Sequence, residues 1–348
     1  MKKQSIQFNT SSTTFYFDAS FDLLEKIVSK DNTVIITDEN VYCGSNHKKF
    51  KSWKTIVLKA GEEHKIQQTV DLVIDQLIDF GCDRKSFLVG VGGGVVTDIT
   101  GYVAGVFMRG IQFGFVPTSI LAMVDASIGG KNGIDVGVYK NIVGLIRQPS
   151  FLLYDYAFLK SLPKTEWVNG FAEIIKHAAI KDAAMFKLLE AHTLNDFKQD
   201  AALLNKLIQR NALLKAKVVV EDEFETGDRK LLNFGHTFGH AIENTYQLPH
   251  GHAVAVGMVM ACMISTSYKN FKDTNRVVGL IKKYGLPVHQ SYKAAEVLEV
   301  MKADKKKVRD VISYVLLEKI GKAVVQPIAI GEMENIIKQL EYNQQANR

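Results

Sequence analysis

A short stretch, LLNFGHTFGHAIENTYQLPHGHA at residues 231–253, holds four of the nine histidines in the chain. His236 and His240 are four residues apart, so a helix would place both imidazoles on one face. His250 and His252 follow a proline, where we expect a turn before the next apolar helix. Neutral imidazole is a common ligand of zinc-like ions. The stretch therefore predicts a metal site, with histidines that serve only the core or the surface as the alternative.

The pair at 236 and 240 does not form the H-E-x-x-H motif of zinc metalloproteases, because Thr237 stands where that motif has its glutamate base. A further ligand must come from elsewhere in the chain. Glu173 lies in the stretch NGFAEIIKHAAIKD, on an otherwise apolar helix face, where a carboxylate is costly unless it is paired or metal-bound. A salt bridge to a lysine is the alternative interpretation, and His177 is a rival ligand.

A glycine-rich loop, GVGGGVVTD at residues 90–98, follows a predicted strand and opens a predicted helix. Glycines let backbone N–H groups approach a phosphate, and a helix N-terminus favours negative charge. The dinucleotide motif G-x-G-x-x-G fails, because Val95 stands at its last glycine. The loop indicates either a phosphate site or a tight turn with close helix packing. Gly101 and Gly105, four residues apart, favour close packing.

A block of charged residues lies in the apolar, glycine-rich stretch MRGIQFGFVPTSILAMVDASIGGKNGIDVGVYKNIVG. These residues are either solvated loop charges or donors that bind anions. The net charge of +6 likewise fits either surface lysines or a basic cleft for an anionic substrate. We do not expect nucleic-acid binding, because no basic stripe is interleaved with aromatic residues.

The first half alternates between strand and helix patterns. Strands are predicted at Thr33–Asp38, Lys54–Ala60 and Ser86–Gly94, and a helix at Lys65–Gly81. This rhythm predicts a Rossmann-like parallel sheet covered by helices, with ligands beyond the carboxyl ends of the strands. From about Thr165 the apolar positions follow a helical period. The fold class is therefore an α/β parallel-sheet domain followed by a mostly α-helical domain.

The composition excludes several classes of protein. A length of 348 residues predicts about two domains, and 47% hydrophobic residues allow a sizeable core. We see no charge-free apolar run long enough for a membrane span, and no apolar core after the first lysines that would make a secretory signal. Cys43, Cys82 and Cys262 fit neither a disulfide framework nor a metal site. We expect a cytoplasmic protein.

Several long stretches together resemble the 3-dehydroquinate synthase family of the sugar phosphate cyclase superfamily. They are GGGVVTD, RGIQFGFVPTSILAMVDASIGGKNGID, KNIVG, NGFAEIIKHAAI, LLNFGHTFGHAIE and HGHAVAVGM, and they spread over most of the chain. The resemblance implies an NAD-binding α/β domain at residues 1–160, an α-helical metal- and substrate-binding domain at 161–348, and a cleft between them. It implies that 3-deoxy-D-arabino-heptulosonate 7-phosphate becomes 3-dehydroquinate and phosphate through transient oxidation, phosphate elimination, reduction and aldol closure.

The resemblance also implies the site residues. One divalent ion, zinc or cobalt, would be held by Glu173, His236 and His250. NAD would contact Asp38, Asn40, Glu62, Lys65, Gly93, Gly94, Val95, Asp98, Thr118, Ser119, Lys131, Lys140, Phe158, Ser161 and Glu166. The catalytic and substrate-binding set would be Arg109, Asp125, Lys131, Lys140, Asn141, Lys176, Lys215, Arg229, Asn233, His240 and Lys306. Within this set, His240 is expected to position or relay a proton near the phosphate.

One departure from the family pattern is His252, which stands where relatives often have glutamate. It would either compete for the metal or line the pocket. The expected partners are a small anionic sugar phosphate and a second copy of the chain in a homodimer, with no nucleic acid and no membrane.

Three alternatives remain. Other sugar phosphate cyclases share the architecture, although Arg229, Asn233 and His240 together favour dehydroquinate synthase. A metal-dependent polyol or alcohol dehydrogenase of similar fold would release NADH and would not need so many cations around two anionic groups. A non-catalytic relative would have lost metal ligands or lysines, and none is lost.

Overall fold

The computed structural model describes residues 1–43, 46–137, 139–303 and 311–346. The chain divides into two compact units. The first comprises Met1–Trp167 and Ala202–Phe224, and the second comprises Val168–Ala201 and Glu225–Arg348. The predicted boundary between residues 160 and 161 stays a prediction. A later segment, Ala202–Phe224, also belongs to the first unit, and a single boundary does not include it.

Among the described residues, nine strands belong to the first unit. They are β1 (Lys2–Gln7), β2 (Ser12–Phe17), β3 (Thr33–Asp38), β4 (Lys54–Leu58), β5 (Phe87–Gly92), β6 (Gln112–Pro117), β7 (Lys131–Val136), β8 (Tyr139–Ile146) and β9 (Phe151–Leu153). Seven of them form one sheet in the order β1-β2-β9-β6-β5-β3-β4. All neighbours in this sheet are parallel except β1 and β2. The predicted parallel sheet is confirmed, with one antiparallel strand at its edge.

The described helices are α1 (Leu24–Ile27), α2 (Glu39–Tyr42), α3 (His47–Phe50), α4 (Gln67–Asp79), α5 (Gly94–Val106), α6 (Lys164–Lys181), α7 (Ala183–Ala191), α8 (Leu194–Gln199), α9 (Ala201–Glu221), α10 (His236–Tyr246), α11 (His250–Lys269), α12 (Thr274–Lys283), α13 (Ala294–Ala303) and α14 (Ile330–Ala346). The second unit is mostly helical, as predicted. It also contains an antiparallel pair, β10 (Val311–Lys319) and β11 (Lys322–Ala329), that the helical interpretation missed.

The central strands are apolar on both faces because helices cover the sheet. In β3 the run TVIITD is buried from Thr33 to Thr37, and in β5 every residue after Phe87 is buried. Helix α5 packs on this layer and on the antiparallel pair β7–β8. A Cβ at Gly101 would overlap the side chain of Asn132, which confirms the close packing predicted for this helix.

Helices α10 and α11 pack directly against each other in the second unit. Gly257 of α11 faces the carbonyl oxygen of Gly235 so closely that a Cβ would overlap it. Gly235 itself has φ +81°, which a residue with a side chain adopts at a cost. Helix α11 is long and apolar enough to span a membrane, but 72% of its apolar window is buried inside the protein. It is packed as a core helix.

A buried carboxylate, Glu223, anchors the end of α9 to two loops of the first unit. It accepts hydrogen bonds from the backbone N and the Oγ1 of Thr10, at 3.1 and 2.7 Å, and from Nε2 of Gln148 at 2.8 Å. Burial raises the pKa of Glu223, but these hydrogen bonds outweigh it and hold the pKa below its ordinary value. The charged form therefore stabilises this unit.

Replacing Glu223 with glutamine is expected to lower the free energy of unfolding by about 1–3 kcal/mol at pH 7, because a buried donor loses its acceptor. The carboxylate's contribution is present above the pKa of an unfolded glutamate and is lost as pH falls through the lower folded-state pKa. The difference from wild type should therefore narrow below about pH 4. Urea unfolding at several pH values measures this.

The matched control is Glu221→Gln, because Glu221 is an exposed residue at the end of the same helix. An equal loss of stability in the control, or a difference that does not depend on pH, would contradict the anchoring role of Glu223.

Candidate functional site

Glu173 lies in the middle of α6 and its side chain is fully buried. Its Oε1 is 3.6 Å from Nε2 of His236 and 3.2 Å from Nε2 of His250. Its Oε2 pairs with the Nζ of Lys176, one turn further along the same helix. The salt bridge to a lysine and the approach to the imidazoles, which the sequence left as alternatives, are therefore present together.

Three neighbouring imidazoles, those of His236, His240 and His250, come from two helices, α10 and α11. His236 is the first residue of α10, and its ring centroid is 5.0 Å from that of His240, as the predicted shared face requires. His250 is the first residue of α11. The expectation that His250 and His252 lie on a turn before the helix is wrong. Pro249 takes the N-cap position, with a φ that suits a helix start, so the helix begins one residue after it.

Asn169 fixes the start of α11 from the neighbouring helix. The N-cap Pro249 offers no side-chain acceptor, and Oδ1 of Asn169 accepts the backbone N–H of Gly251 instead. A Cβ at Gly251 would overlap the backbone oxygen of Asn169. Since Asn169 is one turn before Glu173 on α6, the helix that carries the carboxylate also positions the imidazole of His250.

The electrostatics of the cluster favour a cation. Burial lowers the pKa of His236 well below its ordinary value, and the ammonium of Lys176 lowers it further. Its imidazole is therefore neutral, which is the form that binds metals. Burial alone would lower the pKa of His250, but the carboxylates of Glu173 and Glu243 raise it to about 10. The carboxylates of Glu173 and Glu243 thus both lie next to the imidazole of His250.

The donor set fits a divalent ion. One ligand atom each from Glu173, His236 and His250 lie within 4.8 Å of one another. Two histidines and one carboxylate, with coordination positions left open, are the usual set of a catalytic zinc site. His240, Glu243 and His250 form a second group of the same kind.

The two other candidate ligands differ in their relation to this set. A ring nitrogen of His177 lies within 4.8 Å of a carboxylate oxygen of Glu173. His177 is buried one turn beyond Glu173 on α6, and its role as a rival ligand stays open. Among the described residues, no group that could hold a metal includes His252. Two positions after His250 on a helix, it projects about 200° around the axis from that residue. Competition by His252 for the ion therefore has no structural support.

The sequence interpretation missed Glu243 and Asn169. Glu243 lies on α10, and its Oε2 is 3.2 Å from Nδ1 of His250. The spacing of positions 236, 240 and 243 was a usable signal, because residues three and four apart share a helix face. No comparable signal pointed to Asn169, since its contact depends on which helices pack together.

In the first unit, five of the predicted nucleotide residues lie at the carboxyl ends of three neighbouring strands. Asp38 ends β3, Gly93 and Gly94 follow β5, and Thr118 and Ser119 follow β6. No side chain caps the start of α5, so its first N–H groups suit an anion. An added Cβ at Gly93 or Gly94 would meet no atom closer than 3.4 Å, which leaves room for a ligand.

The same loop is also a packing turn. A Cβ at Gly92 would overlap the side chain of Val96, so this position requires glycine for close helix–strand contact. Both interpretations of the glycine loop therefore apply, each to different residues. The arrangement fits the phosphates of a dinucleotide.

A network around Lys65 lies near this edge of the sheet. Its buried Nζ is 2.5 Å from Oε1 of Glu62, 3.6 Å from Oδ2 of Asp98 and 3.7 Å from Oδ1 of Asp135. Burial raises the pKa of Asp98 to about 7 although Lys65 opposes the shift. Asp135 was missed by the sequence interpretation. A signal was available in the sequence. Asp135 is two residues after Gly133 and four after Lys131 on β7, and residues spaced by two along a strand lie on the same face of the sheet.

The cationic side chains of the predicted substrate-binding set lie on different secondary-structure elements. Lys215 of α9 is 2.7 Å from Oδ1 of Asp125, which lies on a π-helical turn, Ala122–Ala126. Lys131 and Lys140 lie on the β7–β8 pair. Asn141, next to Lys140, has φ +52° and donates its backbone N–H to Asp135 at 2.6 Å.

The other predicted residues are more dispersed. Arg109 is exposed and has φ +66°, while Arg229 is buried in a short 3₁₀ helix. Asn233 donates to Oε1 of Glu225 at 2.8 Å. The ring of Phe158 packs in a hydrophobic cluster, with its centroid 6.0 Å from that of Phe21. Of the remaining predicted nucleotide residues, Val95 is half-buried at the start of α5, and Asn40, Ser161 and Glu166 are exposed. Lys306 lies outside the described residues.

Comparison with known families decides the membership of this chain. The model of the 3-dehydroquinate synthase N-terminal domain matches residues 55–169, and that of the C-terminal domain matches residues 170–307. The chain belongs to the 3-dehydroquinate synthase family. The family membership and the fold class predicted from the sequence are confirmed.

Individual proteins of this family are similar to the chain over most of its length. A 3-dehydroquinate synthase from Pelobacter propionicus is 43% identical over 276 residues, which cover 78% of this chain and 77% of the relative. One from Thermoanaerobacter pseudethanolicus is 37% identical over 335 residues and covers 92% and 94%. Among solved structures, 2-epi-5-epi-valiolone synthase from Streptomyces hygroscopicus, with NAD⁺ and Zn²⁺ bound, matches with a TM-score of 0.86 at 26% identity and covers 98% of each chain.

Asn169→Ala is expected to weaken divalent-metal binding about 10-fold, because loss of a supporting hydrogen bond frees the start of α11 and with it His250. Competition with a chromophoric chelator measures the dissociation constant for Co²⁺. Asn195→Ala, at an exposed position on α8, is the matched control. Unchanged metal affinity in Asn169→Ala would show that the start of α11 is fixed by other contacts.

Proposed function

We propose that the protein acts as a 3-dehydroquinate synthase, a carbon–oxygen lyase of the shikimate pathway. It converts 3-deoxy-D-arabino-heptulosonate 7-phosphate to 3-dehydroquinate and phosphate by transient oxidation, phosphate elimination, reduction and intramolecular aldol closure. The observation that carries this proposal is the match to both domains of the family from residue 55 to residue 307. The cluster of Glu173, His236 and His250 supports it, because the chemistry needs a cation site of this kind.

The cofactors are NAD and one divalent ion, zinc or cobalt. When bound, NAD supplies reversible hydride transfer and the ion supplies Lewis-acid activation of neighbouring hydroxyl groups. Glu173, His236 and His250 would hold the ion. The uncapped start of α5 would bind the phosphates of the nucleotide, and Asp38 lies at the neighbouring strand end.

The substrate carries a carboxylate and a phosphate, and the proposed binding set supplies fixed donors for both. Two of these lysines are held in place by carboxylates: Lys215 by Asp125, and Lys176 by Glu173. Such pairing holds each ammonium group in a defined position. The full proposed set is Arg109, Asp125, Lys131, Lys140, Asn141, Lys176, Lys215, Arg229, Asn233, His240 and Lys306.

His240 has a separate proposed role. Its ring centroid is 5.0 Å from that of His236 and 6.2 Å from that of His250, so it borders the metal cluster. We assign it to positioning the phosphate or relaying a proton beside it, rather than to holding the ion. The homodimer stays a prediction from the family resemblance, and the cytoplasmic location stays a prediction from the composition of the sequence.

The alternative activities differ in their products. A polyol or alcohol dehydrogenase would accumulate NADH, whereas the proposed lyase returns its hydride within each turnover. Another sugar phosphate cyclase would also regenerate NAD, but it would act on a different sugar phosphate. The choice of substrate therefore separates the cyclases, and the NADH signal separates them from dehydrogenases.

Purified protein with NAD and Co²⁺ or Zn²⁺ is expected to release phosphate from the heptulosonate phosphate without net formation of NADH. A chelator should stop the release, and added metal should restore it, because the ion is part of the site. A phosphate assay and absorbance at the NADH band measure both products. Steady accumulation of NADH, or no phosphate release with both cofactors present, would overturn the proposed function.

His240→Ala is expected to lower kcat by about 10²–10⁴-fold, the usual contribution of a positioned proton-transfer group. The Co²⁺ dissociation constant should stay close to that of wild type, because His240 does not hold the ion in this proposal. Steady-state kinetics and chelator competition measure the two quantities. Turnover equal to wild type, or a large loss of metal affinity, would show that this role is wrong.

A further inference from the structure

One imidazole in the cluster stands between two carboxylates. Nε2 of His250 is 3.2 Å from Oε1 of Glu173, and Nδ1 of the same ring is 3.2 Å from Oε2 of Glu243. Glu243 is on α10, and its side chain is only 5% exposed. The two ring nitrogens of His250 therefore face different acidic partners from different helices.

A histidine that binds a metal through one nitrogen keeps its proton on the other. The group that accepts this proton in a hydrogen bond decides which nitrogen is left for the metal, and it also sets the orientation of the ring. Only Nε2 of His250 points toward the oxygen that His236 also approaches. A proton on Nδ1, donated to Glu243, leaves that Nε2 lone pair available.

We propose that Glu243 is a positioning residue for the metal centre. It accepts the Nδ1–H of His250 and thereby holds this imidazole in the tautomer whose Nε2 faces Glu173 and His236. The inference rests on the proposed function, because it takes these three residues as the ligands. It adds a fourth side chain, which acts on the ion only through His250.

The rival interpretation makes Glu243 itself a ligand, together with His240 and His250. In that arrangement Nδ1 of His250 would carry the ion and Nε2 would carry the proton. The buried carboxylate of Glu173, which two imidazoles approach through Nε2, would then lie outside the ion's coordination. Glu173 is fully buried, and two imidazoles approach its carboxylate. Both observations favour an ion bound by Glu173, His236 and His250 over an ion bound by Glu243.

The burial of Glu243 makes its anionic side chain costly unless it is compensated. The hydrogen bond from His250 supplies part of this compensation. The helix position of Glu243 supports the same view, because it is seven residues, or about two turns, after His236 on α10. One helix therefore contributes a ligand at its start and, on the same face, the acceptor that orients a ligand from the next helix.

The test compares Glu243→Leu and Glu243→Gln with wild type. Chelator competition gives the Co²⁺ dissociation constant, and the visible absorption of bound Co²⁺ reports its coordination. Glu243→Leu should bind Co²⁺ about 10–100-fold more weakly, because the Nδ1–H loses its acceptor. Glu243→Gln should lose less than about 10-fold, because its amide oxygen still accepts that hydrogen bond. The Co²⁺ spectrum of Glu243→Gln should match wild type.

The matched control is Glu299→Gln, because Glu299 is exposed on α13 of the same unit. It should bind Co²⁺ as wild type does. Wild-type affinity in Glu243→Leu would overturn the inference. An altered Co²⁺ spectrum in Glu243→Gln, with affinity lost as completely as in Glu243→Leu, would also overturn it, because Glu243 would then be a ligand.

Glu173→Ala separates failure of this inference from failure of the metal centre itself. If Glu173→Ala binds Co²⁺ as wild type does, the proposed metal centre is wrong and the role of Glu243 falls with it. If Glu173→Ala loses the ion while Glu243→Leu keeps it, only the positioning role fails.

A second measurement covers the case in which Glu243→Leu does not fold. In zinc-loaded wild-type protein labelled with ¹⁵N-histidine, NMR should show the His250 proton on Nδ1. A proton on Nε2 would overturn the inference without any variant.

Discussion

The constraint on which the metal-binding cluster of the second unit depends is the complete burial of the Glu173 carboxylate on an apolar helix face, which is unfavourable in free energy. A charge removed from water must find compensation close by, or the carboxyl takes up a proton. Here the compensation comes from three directions: an ammonium one turn along the same helix and two imidazoles from the starts of other helices. The same requirement that assembles these groups leaves a concentrated acceptor site for a doubly charged cation.

Backbone contacts decide how closely those imidazoles can approach. Gly235 and Gly257 let α10 and α11 meet without intervening side chains, and Gly251 lets the start of α11 reach Asn169. Each contact removes a Cβ at the point where a helix would otherwise be held away. The positions of the histidines thus depend on residues that do not themselves bind the ion. The geometry of the ligands is set by the packing of α6, α10 and α11.

The sequence predicted most of what depends on local pattern and on family resemblance. The buried runs of β3 and β5, the helix around Glu173 and the shared face of His236 and His240 all follow from residue periodicity. The partners that depend on packing could not be read in this way. Asn169 and Asp135 acquire their contacts only once α11 and the Lys65 loop lie beside them. The β10–β11 pair was missed because its strands follow a long helical region that dominated the interpretation.

The segment Ala202–Phe224 belongs to the first unit although residues of the second unit flank it on both sides. The chain therefore passes from one unit to the other after Trp167, after Ala201 and after Phe224. No single cut yields two complete halves, and a fragment ending near the first crossing would lack the helix that carries Lys215. During synthesis the sheet-based unit cannot be completed until about two thirds of the polypeptide has left the ribosome.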